Sequence, residues 1–350
     1  MKLLLLGGTQ FLGRHVVDAA LARGHDVTLF TRGRRALPDD VRHGVKALTG
    51  DRDPRIAPGL DALHEGTWDA VVDLSGYLPR VVQASAELLA SRVSRYLFVS
   101  SISVYAKLDR PGLDEDAPLA ELETADSEDI PKHYGALKAA CEAAVTRVFG
   151  ARATHVRPGL IVGPHDPTDR FAYWPARFVH PTLLGDRGMQ AVVPAPPERA
   201  LQFIDARDLA TFMLDLLDRD VAGAFNATSP SGKWTFGDLI ATCRRASSSP
   251  PEVLWVPDRT LLDFHVDPWT GLPLWIPASD PDHAGFDSVA TLRAQAQGLT
   301  LRPLDETVRD TADWLATRDN AGAWKKVLSD GRERQIASAV GRAHPVTNRE

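Results

Sequence analysis

The first half of the chain alternates short apolar runs with segments of helical period. Residues 3–6, 71–74 and 97–99 are apolar without alternation, which is typical of strands covered on both faces. Strands separated by helices at this spacing predict right-handed crossovers and a parallel sheet with helices on both faces. The pattern therefore predicts an α/β, doubly wound fold, with strands at 2–6, 26–30, 70–74, 96–100 and 154–157 and helices at 12–23, 81–92 and 134–149.

The pattern changes after residue 160. Proline and aromatic residues are dense over 164–197 and 250–277, and such segments form irregular walls better than sheet centres. Between them, residues 201–217 predict a strand and a helix, and residues 225–227 predict one more strand. Amphipathic helices are predicted over 304–316 and 332–340. We expect one module over 1–160 plus 201–228, a smaller one over 161–200 plus 229–320, and a helical extension over 321–350.

Composition narrows the class of protein. The 350 residues are 44% hydrophobic, and 40 basic residues against 46 acidic ones give a net charge of -6, which argues against a general nucleic-acid surface. Two cysteines, Cys141 and Cys243, fit a reducing cytoplasm. No apolar stretch approaches the roughly 18 residues of a membrane span, and the histidines show no metal-ligand spacing. We expect a cytoplasmic protein with a small-molecule partner, no membrane contact and no metal.

A glycine-rich loop directly follows the first predicted strand. Gly7, Gly8 and Gly13 stand where a tight turn, bare N–H groups and close helix packing suit a pyrophosphate. A P-loop is excluded because Arg14 and His15 follow Gly13, where Lys and Ser or Thr would be needed. A tight turn without a ligand is the alternative. The predicted dinucleotide contacts of this loop are Gly7, Thr9, Gln10, Phe11, Leu12 and Gly13.

The end of the second strand bears on which dinucleotide is bound. Asp or Glu at this point binds the ribose 2'-hydroxyl of NAD, whereas Arg accommodates the 2'-phosphate of NADP. Arg32 stands here and Arg35 follows, so NADP is predicted, with NAD as the second choice and a solvated basic loop as the alternative. Asp51, after the run 45–50, is either an adenine contact or an exposed loop carboxylate.

A tyrosine, a lysine and three serines form the candidate chemistry. Tyr134 and Lys138 are four residues apart at the start of a predicted helix and share one face. The strand before them ends in Ser100, Ser101 and Ser103, at the sheet edge that lines a ligand crevice. A neighbouring ammonium favours the phenolate and brings the tyrosine pKa down from about 10. The set predicts acid/base catalysis on an oxygen held by Ser101.

The sequence resembles the short-chain dehydrogenase/reductase superfamily, in its extended, atypical class. Within that superfamily it is similar to the NAD-dependent epimerase/dehydratase-like family. The residues that carry the resemblance are GGTQFLG at 7–13, VSSISVY at 99–105, YGALK at 134–138, RPGLIVGP at 157–164 and FIDARDLA at 203–210. The resemblance implies a Rossmann domain that holds the dinucleotide and a smaller C-terminal substrate-binding domain. It also implies a homodimer, since relatives of this class are commonly dimers.

The same resemblance implies individual roles. Tyr134 is the acid/base, Lys138 binds the nicotinamide ribose and lowers the tyrosine pKa, and Ser101 orients the substrate oxygen. Ser101 is preferred to Ser103 because it stands four residues before Tyr105. Further cofactor contacts are implied at Ser75, Gly76, Ser100, Pro158 and Gly159. Candidate substrate contacts are Ser103, Tyr77, Gln202, Tyr173 and Trp174, the last two with core packing as the alternative.

Three departures from the family pattern bear on function. Gln10 replaces the middle glycine of G-x-x-G-x-x-G, in a form similar to a branch that includes the chloroplast stem-loop-binding proteins. Leu160 and Leu201 stand where nucleotide-sugar enzymes carry Asn and Arg, so a substrate without a diphosphate is favoured unless Arg170 or Arg199 substitutes. The serine turn also lacks the acidic pair of the 4,6-dehydratases, which argues against dehydration.

The sequence thus predicts an NADP-dependent oxidoreductase, of carbonyl reductase or alcohol dehydrogenase type, acting on a small non-nucleotide substrate. An NAD(P)-dependent sugar or nucleotide-sugar epimerase is the alternative among enzymes. A dinucleotide-binding regulatory or RNA-associated protein is an alternative of another class, suggested by Gln10. The complete Tyr134, Lys138 and Ser101 set favours an enzyme.

Overall fold

A computed structural model describes residues 1–34, 44–124, 126–185, 187–319, 324 and 326–343 of the chain. The chain forms two compact units. The first comprises Met1–Ile161, Phe203–Pro230 and Val289–Leu301, and the second comprises Val162–Gln202, Ser231–Ser288 and the residues from Arg302 onward. Residues 289–301, which the sequence pattern groups with the smaller module, pack in the first unit.

The first unit is built on a parallel sheet with seven strands in the described part of the chain. These are β1 (Lys2–Leu6), β2 (Asp26–Thr31), β3 (Val45–Thr49), β4 (Trp68–Asp73), β5 (Val93–Val99), β6 (Ala153–Pro158) and β7 (Gly223–Ala227). Their order is β7-β6-β5-β4-β1-β2-β3, and every neighbouring pair is parallel. The strand order reverses beside β1, so the expected doubly wound Rossmann fold is confirmed.

Helices cover both faces of this sheet. The helices of the first unit are α1 (Leu12–Ala22), α2 (Pro79–Leu89), α3 (Ile130–Phe149), α5 (Ala206–Asp218) and α8 (Leu292–Ala296). Leu3 and Leu5 of β1 lie in the core cluster that contains residues of α1 and α5, whereas Leu4 and Leu6 lie in the cluster that contains residues of α2 and α3. All four leucines are fully buried, which explains the apolar run without alternation.

Helix α3 starts one turn before the predicted residue 134. Asp129 caps it by accepting a hydrogen bond from the backbone N–H of Lys132 at 3.2 Å. The backbone is non-helical at His133, with φ -120° and ψ 27°, so the helix is kinked immediately before Tyr134. The kink separates a capped first turn from the straight segment that carries Tyr134 and Lys138.

The second unit has short strands and five helices in its described residues. The helices are α4 (Tyr173–Val179), α6 (Phe236–Ala246), α7 (Asp258–Asp263), α9 (Leu304–Thr317) and α10 (Asp330–Ala343). The strand pairs are Gln190–Pro194 with Glu252–Val256, Ala200–Leu201 with Trp234–Thr235, and Pro268–Trp269 with Leu272–Pro273. Two further short strands, Leu160–Val162 and Phe203–Asp205, belong to the first unit except for Val162. Glu333 of α10 is buried against Arg177 and Arg187, at 3.2 and 3.0 Å, which fixes this helix within the unit.

Candidate active site

The glycine loop folds tightly between β1 and α1. Gly7 and Gly8 have φ of +108° and +106°, a region that side chains rarely adopt. A Cβ atom on Gly13 would lie 2.4 Å from the Cα of Gly8, so no other residue fits there. Gly7 is also next to Ser75, because a Cβ on Gly7 would lie 3.5 Å from the Cβ of Ser75. The structure thus brings two of the predicted cofactor segments together.

The N-terminus of α1 presents the positive end of a helix dipole. In the described region this helix begins without a side-chain cap and without an acidic residue in its first turn. The backbone N–H groups of Gly13 and Arg14 donate to the Gln10 and Phe11 carbonyls, at 2.9 Å each, which closes the first turn. Gln10 is exposed, Thr9 and Phe11 are half-buried and Leu12 is buried, so the departure at Gln10 leaves the loop intact. The positive end of a helix dipole beside a glycine-rich turn fits a dinucleotide pyrophosphate.

The basic residues after β2 are only partly described. Arg32 is exposed directly after the strand, and it forms no ion pair or hydrogen bond with the residues that the structure describes. Arg35 lies outside the described residues. Asp51 is half-buried and accepts a hydrogen bond from the backbone N–H of Asp53 at 3.0 Å. Arg32 is therefore available to a ligand, and Asp51 has its carboxylate turned partly into its own loop.

A buried ion pair fixes the turn after β4. Both Arg52 nitrogens bind the Asp73 carboxylate, at 2.6 and 2.7 Å, and the Tyr96 hydroxyl donates to it at 2.8 Å. The backbone N–H of Ser75 donates to Asp73 at 3.1 Å, while its hydroxyl donates to the Leu6 carbonyl at 3.0 Å. Burial and the Asp73 charge raise the pKa of Tyr96 well above its ordinary value. Ser75 is thus held at the carboxyl ends of β1 and β4.

Sequence reasoning missed this ion pair. A carboxylate at the end of an otherwise apolar strand indicates a buried partner, because charged side chains are rarely buried alone. It does not identify that partner, since Arg52 lies 21 residues away in a loop.

The serine turn follows β5 immediately. Ser101 caps the short 3-10 helix Ile102–Val104, and its Oγ accepts from the backbone N–H of Ser103 at 3.1 Å. The two hydroxyl oxygens of Ser101 and Ser103 are also 3.1 Å apart. Ser100 donates its backbone N–H to the Val156 carbonyl at 2.7 Å, which joins the turn to β6. The geometry fixes the Ser101 hydroxyl and leaves Ser103 as its hydrogen-bonded neighbour.

Helix α3 packs directly onto the serine turn. A Cβ on Gly135 would lie 2.0 Å from the Ser103 carbonyl oxygen, so the helix approaches as closely as glycine allows. Lys138 donates from Nζ to the Val99 carbonyl at 2.8 Å. Tyr134 is half-buried; it directly precedes Gly135 and lies one helical turn before Lys138. The tyrosine, lysine and serine segments that the sequence singled out therefore meet at one end of β5.

The Lys138 ammonium is buried but keeps an aromatic environment. Its Nζ lies 4.8 Å from the ring centroids of both Tyr77 and Phe98. Burial lowers the pKa of Lys138 to about 8, against an opposing attraction to Asp73. The Tyr77 and Tyr134 ring centroids are 6.5 Å apart. The lysine is thus charged at neutral pH and poorly solvated, a condition in which it acts strongly on a nearby phenol.

Arg157 has a structural partner. It binds Glu142 through two hydrogen bonds of 2.9 and 2.7 Å, and it also donates to the Tyr105 hydroxyl at 3.3 Å. Burial raises the pKa of Glu142, but the hydrogen bonds from Arg157 more than offset this and hold it below its ordinary value. Pro158 is buried and Gly159 half-buried directly after this pair, where a Cβ on Gly159 would approach Thr228 to 2.8 Å.

Three of the predicted substrate contacts are interior residues of the second unit. Tyr173 and Trp174 are fully buried, and Trp174 donates from Nε1 to the Pro273 carbonyl at 3.0 Å. Gln202 is 2% exposed, and its backbone N–H donates to Asp287 at 2.9 Å. Burial raises the pKa of Asp287 to about 7. Tyr173 and Trp174 have the contacts of core side chains, the alternative that the sequence left open.

The described residues contain neither a metal-binding cluster nor a membrane-spanning helix. No group of three or more His, Cys, Asp and Glu side chains there is arranged to hold a metal ion. None of the helices there has both the length and the apolar character required to cross a membrane.

Known proteins resemble the chain at moderate identity. It is 28% identical over 269 residues to the chloroplast stem-loop binding protein of 41 kDa b of Arabidopsis thaliana, covering 72% of this chain and 65% of that protein. It is 25% identical over 285 residues to UDP-glucose 4-epimerase of Corynebacterium glutamicum, covering 71% and 82%. It is 31% identical over 183 residues to 2-alkyl-3-oxoalkanoate reductase of Stenotrophomonas maltophilia, covering 47% and 52%. The chain thus spans less than two thirds of the first and third relatives.

Solved structures share the fold. A UDP-glucose 4-epimerase superposes with a TM-score of 0.65 at 15% identity, covering 91% of this chain and 98% of that one. The Bordetella bronchiseptica enzyme WbmH, in complex with NAD+, superposes with a TM-score of 0.63 at 16% identity, covering 90% and 98%. A model of the NAD dependent epimerase/dehydratase family matches residues 3–227, which contain the glycine loop, the serine turn and the tyrosine–lysine helix. The chain is a member of the NAD dependent epimerase/dehydratase family.

Proposed function

We propose that this protein is an NADP-dependent oxidoreductase acting on a carbonyl or carbinol carbon of a small substrate without a diphosphate. One observation carries the proposal: the helix with Tyr134 and Lys138 packs at Gly135 onto the turn that fixes Ser101. When bound, the dinucleotide supplies or accepts the hydride. The glycine loop and the N-terminus of α1 are suited to its pyrophosphate.

The protein's own groups handle the proton. In reduction, the Ser101 hydroxyl donates a hydrogen bond to the substrate oxygen, and Tyr134 gives its phenolic proton to that oxygen as the carbon gains a hydride. In oxidation, the tyrosinate takes the proton back. The Lys138 ammonium, with its pKa at about 8, is charged at neutral pH and stabilises the tyrosinate.

Other residues are proposed to hold the cofactor. Ser75 and Gly76 adjoin Gly7 at the end of β1, where they would line the dinucleotide. Arg32 has no competing partner in the described residues and would bind a 2'-phosphate. The further proposed contacts are Asp51, Ser100, Pro158 and Gly159.

We infer a substrate without a diphosphate because the arginines that could bind one already have partners within the protein. Arg157 is buried against Glu142, so it has no free donor pair for a phosphate. Of the two possible substitutes, Arg199 donates to the Ile276 carbonyl at 2.6 Å and to Asp258 at 2.5 Å. Arg170 donates from Nε to the Thr168 hydroxyl at 3.1 Å and lies over the Trp269 ring. The likeness to a 2-alkyl-3-oxoalkanoate reductase further favours a carbonyl substrate.

NADPH consumption tests the proposal. Purified protein would be screened against aliphatic and aromatic ketones, aldehydes and 3-oxo acids, with NADPH loss followed by absorbance. Tyr134→Phe removes the proton donor and keeps the ring, so we expect turnover to fall by about 10²-fold or more while NADPH binding persists. A Tyr134→Phe protein that reduces a confirmed substrate at nearly the wild-type rate would contradict the mechanism.

Epimerisation is a second candidate, favoured by the likeness to UDP-glucose 4-epimerase. An epimerase returns the hydride to the opposite face of the same carbon, so it consumes no added NADPH. Incubation with UDP-glucose or free sugars, analysed by proton NMR, would show a new epimer without net oxidation of NADPH. This outcome would replace the reductase proposal.

RNA association is the candidate of another class, favoured by the likeness to a chloroplast stem-loop binding protein. A net charge of -6 and the tuned Lys138 argue against it as the main function. RNA binding that weakens steeply with salt, together with inactivity toward all carbonyl substrates, would favour it over an enzyme.

Location and assembly complete the proposal. Cys141 and Cys243 are free, buried thiols, which suits a reducing cytoplasm. A homodimer is expected from the family resemblance, and light scattering of the purified protein would measure it.

A further inference from the structure

The Lys138 ammonium has few polar neighbours. Lys138 is 3% exposed. Within the described part of the chain, its ammonium donates to a single oxygen, the Val99 carbonyl, at 2.8 Å. An ammonium has three N–H donors. The Tyr77 and Phe98 rings, each with its centroid 4.8 Å from Nζ, cover the ammonium in addition to this oxygen. Aromatic faces at this distance attract a cation.

The two rings differ in exposure. Phe98 is fully buried in the sheet, whereas Tyr77 is 44% exposed and forms the solvent side of the ammonium's surroundings. The turn that carries Tyr77 lies close to Phe98, because a Cβ on Gly76 would come within 2.5 Å of the Phe98 ring. Glycine at 76 thus lets the turn approach the sheet and bring Tyr77 to the lysine.

Charged and titratable groups also act on this lysine from the neighbouring elements. Asp73 at the end of β4 attracts the ammonium, and Arg52, paired with Asp73, repels it. Cys141 and Glu142 act from α3 itself. The neighbouring phenols are Tyr77, whose ring lies against the ammonium, and Tyr134, whose ring centroid is 6.5 Å from that of Tyr77. A change confined to Tyr77 leaves the Asp73–Arg52 and Glu142–Arg157 ion pairs in place.

We propose that Tyr77 is a positioning residue for Lys138: its ring excludes water from the ammonium and supplies the π face that holds it charged next to Tyr134. The consequence for turnover rests on the proposed function. The arrangement of Tyr77 around Lys138 does not, because it can be measured without cofactor or substrate.

Three variants separate the two effects of the ring. Tyr77→Phe keeps both the ring that excludes water from the ammonium and its π face. Tyr77→Leu keeps an apolar cover and removes the π face. Tyr77→Ala removes both and admits water. Because Tyr77 is partly exposed, all three are expected to fold, and circular dichroism with thermal unfolding would establish this before titration.

The readout is the pKa of Lys138 in protein without added dinucleotide. Protein labelled with [ε-13C]lysine would be titrated by NMR, and the Lys138 signal identified by its loss in Lys138→Arg. Wild type and Tyr77→Phe should titrate near 8. Tyr77→Leu should titrate lower by about 0.5 to 1 unit, since cation–π attraction stabilises the charged form. Tyr77→Ala should titrate higher, toward the roughly 10.4 of a solvated lysine.

Two results would overturn the proposal: a wild-type pKa in Tyr77→Leu, or a pKa in Tyr77→Ala at or below wild type. Activity gives a separate readout once a substrate is known. The alkaline limb of kcat should move down in Tyr77→Leu and up in Tyr77→Ala, because loss of the Lys138 proton ends its support of the tyrosinate. If the NMR pKa moves and the limb does not, the proposed role of Lys138 in catalysis is wrong while Tyr77 remains its positioning residue.

Discussion

The carbonyl oxygen of Ser103 lies 2.0 Å from the position that a Cβ atom on Gly135 would occupy. This is far inside van der Waals contact, and the obstacle is backbone rather than a flexible side chain. The residue that follows Tyr134 must therefore be glycine for α3 to rest on the serine turn. The spacing between Tyr134, the proposed proton donor, and Ser101, the proposed oxygen-binding residue, depends on this contact.

Gly135→Ala tests that dependence. The added methyl must push α3 away from the turn, and overpacking of this kind costs about 1 to 3 kcal/mol, partly offset by the roughly 1 kcal/mol that alanine gains in a helix. Displacing Tyr134 by a fraction of an ångström should lower kcat by about 10²-fold. Urea unfolding and steady-state kinetics would measure the two effects.

Gly331→Ala is the matched control. Gly331 is also in a helix, α10, but a Cβ there meets nothing within 4 Å. The same substitution should therefore leave kcat unchanged and leave stability equal or higher by up to about 1 kcal/mol. Equal losses of activity in the two variants would mean that the contact between α3 and the turn has no special role.

We predict that Ser101 and Ser103 contribute differently to kcat, although their hydroxyl oxygens are only 3.1 Å apart. Ser101→Ala removes the hydroxyl that is proposed to bind the substrate oxygen, and we expect kcat to fall by about 10² to 10³-fold. It also loses the cap on the 3-10 turn, worth about 1 kcal/mol in stability. Ser103→Ala keeps that cap and should change kcat by less than about tenfold. The reverse ranking in steady-state kinetics would assign the oxygen-binding role to Ser103.

Arg32 should decide the choice between the two dinucleotides. A charge-assisted hydrogen bond to the 2'-phosphate contributes about 1.5 to 3 kcal/mol, so Arg32→Ala should weaken NADPH binding by roughly 10 to 100-fold and leave NADH binding unchanged. Arg34→Ala, which removes a second exposed charge from the same turn, is the control for general electrostatics. Thermal shifts with NADPH and NADH report both affinities. Stabilisation of the wild type by NADH alone would exclude the assignment.

Much of this architecture is readable from local pattern. Leu3 to Leu6 form an unbroken apolar strand because both faces of β1 are buried, and the glycine loop and YGALK segment carry their own spacing. Pairing between distant segments is not local. The Arg52–Asp73 ion pair joins a loop to a strand end, and the sequence pattern does not predict β3 as a strand because its edge position leaves most of it exposed.

Whether an aromatic residue is buried in a core or lines a pocket is the second property that the sequence does not determine. Tyr173 and Trp174 stand in a proline-rich stretch that suits a pocket wall as well as a core, and only the packing of Trp174 against Pro273 and Phe236 distinguishes the two. Tyr77 is the opposite case. Nothing in the sequence around it indicates that it covers Lys138, because the contact is made across a turn and a helix.

The Glu142–Arg157 pair should act on stability. Glu142→Gln leaves the Arg157 charge buried without its counterion, which costs about 3 to 5 kcal/mol of unfolding free energy. Replacing both residues, as Glu142→Leu with Arg157→Met, removes the buried charge and should cost much less than the single change. Urea unfolding would compare the two. A single variant as stable as wild type would mean that the Glu142–Arg157 pair does not stabilise the fold, and the argument that Glu142 withholds Arg157 from a substrate phosphate would fail.

Lys138→Met should show that the buried, charged lysine lowers the free energy of unfolding at neutral pH. The folded-state pKa of about 8 lies below the roughly 10.4 of an exposed lysine, so the unfolded chain binds this proton more tightly. Below about pH 8 the charged lysine therefore destabilises the fold by about 3 kcal/mol, and this penalty disappears as pH rises from about 8 to about 10.4. Methionine removes the penalty and also the hydrogen bond to Val99, worth about 1.5 to 3 kcal/mol. The free energy of unfolding of Lys138→Met should thus equal or exceed that of wild type at pH 7 and fall below it by about 1 to 2 kcal/mol near pH 10, where a small part of the penalty remains. Other groups titrate alike in both proteins and cancel in the difference, so a difference that stays constant over this range would mean that Lys138 has an ordinary pKa.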